Sequence, residues 1–196
     1  MVAGETPGRP PRIFGPWTLM IQVTPFADRH DYELMVDYFL NADEGFLKGM
    51  GVDPGKLPER AAWIEAALLD HDRPAHEKDR SYLKWIYDGA PVGHSSINRI
   101  QVGEQAFIHL HLWIRDLRRA GLGTQFFRAS ASEFMRMHGF KRLYCEPYAE
   151  NPAPNRVLSK AGFRFIKRYR TVPGPINFEQ EVNQYVLEVS PPAEAG

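Results

Sequence analysis

Residues 112–124 read LWIRDLRRAGLGT. Before them, Ala106 to Ile114 (AFIHLHLWI) alternates in the manner of a strand. After them, Leu122, Phe126, Ser130 and Phe134 recur at helical spacing, with Phe127, Ala131 and Met135 beside them, until Gly139 stops the pattern. The window therefore joins a strand to a helix. Within it Arg118, Gly121 and Gly123 fit R-x-x-G-x-G. The glycines allow a tight turn whose N–H groups converge at the first helical turn, where the positive end of the helix dipole also points. Such a place suits an anion, and Arg118 and Arg119 add charge to it. A plain strand-to-helix turn is the alternative. No Gly-Lys-Ser/Thr follows, so the window is not a P-loop, and a dinucleotide fingerprint would require a parallel βαβ setting.

What surrounds the window is antiparallel. SYLKWIYD from Ser81, a turn at Gly89-Ala90-Pro91, VGHSSINRI, a turn near Gly103 and then the strand above predict a three-stranded meander. Further upstream, Trp17 to Thr24 predicts a first strand, Asp28 an N-cap, and Tyr32, Met35, Val36 and Phe39 a helix. Asn41 to Leu57 (NADEGFLKGMGVDPGKL) is rich in glycine and predicts an irregular, functional loop. A second helix is expected after Pro58, its buried stripe marked by Trp63, Ile64, Ala67 and Leu68. Downstream, KRLYCEPY predicts a strand, PAPNRVLSKAGF a short helix ended by Gly162, and FRFIKRYRTV and VNQYVLEV two last strands. The expected fold class is α/β (α+β): a single mixed, mostly antiparallel sheet of about six to seven strands, flanked by about four helices.

The 196 residues suffice for one domain, expected over 17–189, with a flexible leader at 1–16 and a frayed tail at 190–196. One cysteine, Cys145, excludes an internal disulfide and a four-thiolate zinc site. No apolar run approaches a membrane span, and the start lacks a secretory apolar core, so a cytoplasmic protein with no membrane partner is expected. Formal net charge is zero, which argues against a nucleic-acid partner. The charge is nevertheless segregated. Residues 1–100 carry 11 basic and 15 acidic side chains, residues 101–170 carry 13 and 5, and residues 171–196 carry none and 4. A basic segment between two acidic ones fits a small anionic ligand, or solvated faces that cluster by chance.

Beyond the helix and strand that follow the window comes Glu150-Asn151-Pro-Ala-Pro-Asn155-Arg156-Val-Leu158-Ser-Lys160-Ala-Gly162-Phe163. The two segments, in this order of elements, resemble the GCN5-related N-acetyltransferase superfamily, and within it the branch that acetylates ribosomal-protein N-termini and similar amines. The resemblance spans roughly residues 17–189 and is specific in these two segments. It implies acetyl-CoA as cosubstrate. Arg118, Arg119, Ala120, Gly121, Leu122, Gly123 and Thr124 match the loop whose amides hold the pyrophosphate, and Trp113 and Ile114 the splayed end of the fourth strand, which pairs with the pantetheine arm. Asn151 matches the asparagine that bonds that arm. Where many members carry a tyrosine acid this chain has Leu158, and Pro154 replaces a usual small residue. The family also makes a homodimer an expectation.

Amide formation from an amine and a thioester needs proximity, a base and donors for the oxyanion. A thiolate of pKa near 8.5 leaves without a strong acid, so Leu158 does not exclude catalysis, though it leaves the acid unassigned. His109, His111 and Trp113 share one side of the fourth strand, and His111 is the first candidate base. Glu146 through a water, His109 and His94 are the others, each equally readable as an ordinary strand residue. His-x-His with His94 suggests zinc and a metal-dependent hydrolase, but no acidic or thiolate ligand stands at a recognisable spacing, so no metal is expected. For the acceptor, a small-molecule or peptide amine, the resemblance points to residues 41–57, where Asp43 and Glu44 would attract a cation that packs on Phe46. Tyr144, Tyr148 and Tyr169 are core, rim or substrate contacts. A non-catalytic acyl-CoA sensor is the competing reading, prompted by Leu158.

Overall fold

The computed structural model describes residues 21–119 and 121–188, with the side chain of Arg119 undescribed. The predicted leader, the first residues of the predicted first strand, Ala120 and the predicted tail lie outside the described residues. Among the described residues seven strands form one sheet in the order β1-β2-β3-β4-β5-β7-β6. They are β1 (Ile21–Pro25), β2 (Arg80–Tyr87), β3 (Ala90–Gln101), β4 (Gln105–Leu112), β5 (Arg142–Cys145), β6 (Arg164–Thr171) and β7 (Gln180–Glu188). Among these seven strands only the neighbours β4 and β5 run parallel.

Among the described residues five α-helices accompany the sheet: α1 (Arg29–Leu40), α2 (Glu44–Gly49), α3 (Arg60–His71), α4 (Leu122–His138) and α5 (Pro152–Ala161). Asp28 caps α1 through the Asp31 amide, as its position predicts. The glycine-rich stretch corrects the expectation of an irregular loop, because it folds into α2 and a short 3₁₀ turn at Pro54–Lys56. Side-chain caps explain it. Asp43 accepts from the Phe46 amide and Asp53 from the Gly55 amide, while Leu47 and Val52 bury against α1, and together these outweigh a cost of about 1 kcal/mol per helical glycine.

Two cores sit on opposite faces of the sheet. On one face Phe127, Ala131 and Phe134 of α4 and Leu158 of α5 pack with Leu83, Ile97, Ile108, Leu143 and Tyr185 from five strands. On the other, Tyr32, Met35, Val36 and Phe39 of α1 gather with Leu47, Ile64, Tyr82 and Trp113. Lys84 Nζ reaches the buried Asp31 at 2.6 Å and fixes α1 on β2. Among the described residues no helix is long and apolar enough to cross a membrane.

Candidate active site

The sheet opens between β4 and β5. Their ladder covers only Gln105–Phe107 against Arg142–Tyr144, whereas β4 continues to Leu112. Past Cys145 the chain follows β7 instead, with Asn183 N–H donating to Pro147 O (3.1 Å) and Ala149 N–H to Glu181 O (2.9 Å). Trp113 N–H donates to Val92 O (2.8 Å), and the register with β3 makes His94/His111 and Ser96/His109 the hydrogen-bonded pairs. Alternation then turns the backbone groups of Leu110 and Leu112 toward the opening.

At the mouth of this opening α4 begins. Gly121 holds φ +74°, a left-handed conformation that a Cβ would strain, and no side chain caps the helix. The Thr124 amide donates to Gly121 O (3.3 Å), and the positive end of the dipole of this 17-residue helix lies at the mouth. Arg118 turns inward: Nε and Nη2 donate to Leu112 O (3.3 and 3.2 Å), and the guanidinium lies 4.5 Å from the centre of the Phe46 ring. Ile114 is exposed. Asn151 caps α5, its Oδ1 accepting from the Ala153 amide (3.2 Å).

A cavity of ≈ 580 Å³ runs from Gly123 and Val157 through the opening to Phe46 and Trp63 on the α1 face. His94, His109 and His111 line it. The rings of His94 and His111 stack at 4.8 Å and 18°. Trp113 Nε1 donates to His94 Nδ1 (2.9 Å); an indole only donates, so the His94 proton sits on Nε2. His109 Nε2 meets Asn98 Oδ1 at 3.1 Å. His111 Nδ1 is buried with no hydrogen-bond partner. Burial, and then the positive charge of Arg80, lower His111 to about 4 and His109 to about 3; burial also puts His94 well below its ordinary value. All three are neutral at pH 7. Stacked rings direct their in-plane lone pairs side by side rather than at one point, and among the described residues no group of three or more His, Cys, Asp or Glu side chains could hold a metal ion.

Glu146 lines the cavity with its side chain 3% exposed. It accepts from Tyr169 Oη and from Gln184 Nε2 (2.6 Å), and Arg99 Nη1 stands 3.8 Å away, so it ties the end of β5 to β6 and β7. Tyr144 stacks on Phe107 at 5.3 Å, and Tyr148 lines the cavity. Of the acceptor candidates, Phe46 lines the cavity, whereas Asp43 caps α2 and Glu44 pairs with Lys48 at 3.0 Å outside it. Arg80, Tyr82, Ser96 and Asn98, none of them a site residue predicted from the sequence, also line the cavity. The period of two that placed His109 with His111 also places Ser96 and Asn98 with His94.

Residues 21–164 match the family model described as an acetyltransferase (GNAT) domain, which is well over half of the chain. The chain belongs to the GNAT acetyltransferase family. Solved members share the fold at low identity. The ribosomal L7/L12 alpha-N-protein acetyltransferase RimL, in complex with coenzyme A, superposes with a TM-score of 0.69 at 16% identity, over 88% of this chain and 95% of that one. The spermidine N-acetyltransferase from Vibrio cholerae, with coenzyme A and spermine, gives 0.67 at 12% identity, over 86% and 95%. The aminoglycoside acetyltransferase AAC(6')-Ib with coenzyme A gives 0.65 at 15%, again over 86% and 95%. A search of the curated proteins returned no match.

Proposed function

We propose that the protein transfers the acetyl group of acetyl-CoA to a primary amine by direct attack. One observation carries this reading: a single cavity joins the uncapped start of α4, the opening between β4 and β5, and the three neutral imidazoles. The phosphates would lie on the Gly121–Thr124 amides, with the extended arm along Leu110 and Leu112. Structures of the same fold solved with coenzyme A support the choice of cosubstrate.

The amine nitrogen bonds to the thioester carbonyl carbon, the C–S bond then breaks, and the sulfur leaves as thiolate. The nitrogen becomes strongly acidic once it has attacked, so a weak base suffices for its proton, and His111, a neutral imidazole lining the cavity, takes that role. The thiolate takes a proton from solvent, which is why Leu158, wholly buried between α5 and the sheet, is compatible with turnover. Glu146 is a positioning residue here, because its bonds to Tyr169 and Gln184 set the far wall of the opening.

Isothermal titration tests the cosubstrate: acetyl-CoA binds at tens of micromolar or better, and Gly121→Glu abolishes binding by setting a carboxylate against the phosphates. Undiminished binding by that variant overturns the assignment. A thiol-release assay over an amine panel then separates transferase from acyl-CoA sensor, since sustained turnover removes the sensor reading.

A further inference from the structure

The charged groups of the cavity are unequally partnered. Three carboxylates line it: Asp70, Asp79 and Glu146. Asp70 accepts from the Asp79 and Arg80 amides (2.8 and 2.9 Å) and from Arg73, Asp79 binds Arg73 at 2.8 Å, and Glu146 is held as described above. Arg80 lines the same cavity, and among the described residues no carboxylate oxygen lies within 4.0 Å of its guanidinium. It stands on the face of β2 that looks at the histidines, opposite Asn98 and two residues from Tyr82. With the imidazoles neutral, the open charge of this chamber is positive.

Resting on the transferase reading, we propose that the acceptor is an amine that also carries an anionic group, a carboxylate or a phosphate, which Arg80 binds while the amine faces His111. The planar guanidinium presents paired donors to either group, and Asn98 and Ser96 line the same chamber. The aromatic walls, Tyr38, Phe46, Trp63 and Tyr82, suit an apolar body between the two polar ends. This replaces attraction of a cationic amine by Asp43 and Glu44, neither of which lines the cavity.

The test uses matched amines that differ only in the distal group: carboxylate, phosphate, uncharged amide, and a second amine. With acetyl-CoA saturating, one or both anionic members should exceed the amide in kcat/KM by about tenfold or more, as expected for a charge-assisted pair. The carboxylate and phosphate arms distinguish the two sources. Arg80→Gln should erase the preference through KM, leave the KM of acetyl-CoA unchanged, and be partly rescued by Arg80→Lys. Equal effects of Arg80→Gln on all members, or a preference for the diamine, overturn the proposal. Titration of the same compounds into coenzyme A-loaded protein repeats the comparison without turnover: anionic members bind more tightly, and only in the wild type. That arm decides for or against the anion site even if no amine is acetylated, a result that would instead remove the transferase reading.

Discussion

At the level of single side chains, the three imidazoles tie the chemistry of the cavity to the stability of the fold. A histidine held below its ordinary value of 6.5 takes up a proton more readily when unfolded, so the native state loses stability as pH falls from about 6.5 toward 4. His111, displaced to about 4, contributes roughly 3 kcal/mol of this dependence, and His109 and His94 act in the same direction. Thermal unfolding should show Tm falling between pH 7.5 and pH 5, with His111→Gln giving a shallower profile; a profile unchanged by that substitution contradicts the buried, neutral state. In turnover, His111→Gln should lower kcat about tenfold or more and spare the KM of acetyl-CoA. Because His111 is already neutral above about pH 5, any rise in wild-type rate between pH 6 and pH 9 should follow the ionisation of the amine, measured by changing the amine's pKa.

At the level of elements, close approach places the pair of imidazoles. A Cβ on Gly93 would lie 2.5 Å from His111 O and 2.8 Å from the Trp85 ring, so β3 and β4 meet at this register only with glycine there. Gly93→Ala should cost about 1–3 kcal/mol in urea denaturation and displace the neighbouring His94; a neutral result would mean that the strands separate freely. The elements themselves were largely legible in the sequence. The period of two in SYLKWIYD, VGHSSINRI and AFIHLHLWI became β2, β3 and β4, and the glycine pattern became the start of α4. What misled was Asn41–Leu57, where glycine content outweighed two aspartate caps in the reading although the caps prevail in the fold. The wall made by Arg80, Tyr82 and Asn98 was illegible for a different reason. It exists only once the β2–β3–β4 register is known, and no local pattern carries that information.

For the molecule as a whole, the segregated charge has two origins. Much of the basic excess of residues 101–170 is matched across strands: Arg142 and Arg164 meet Glu188 (3.5 and 3.0 Å), Arg168 meets Glu181 and Glu150, and Arg170 meets Glu179 at 2.9 Å. The acidic C-terminal segment is therefore largely the partner of β6. Arg115, Arg118, Arg128 and Arg156 have no carboxylate within 4.0 Å among the described residues; the first two precede α4, Arg128 lies in it and Arg156 lies in α5. Arg118→Ala should weaken acetyl-CoA binding by roughly tenfold, whereas Arg170→Ala, which removes an exposed pair worth about 0–1 kcal/mol, should leave it unchanged. Equal losses in titration calorimetry would return the whole basic segment to the cofactor.

The short parallel ladder between β4 and β5 also has a mechanical meaning. Three residues of β4 bear the whole pairing between a four-stranded and a three-stranded half-sheet, and the core beneath α4 braces that seam on one face only. Under tension between residues 21 and 188, rupture should begin at the seam and leave each half-sheet briefly intact. A ligand laid along Leu110 and Leu112 would stitch the seam, so acetyl-CoA should raise the rupture force in single-molecule pulling. The line along which this protein would tear is also the line proposed for its cosubstrate.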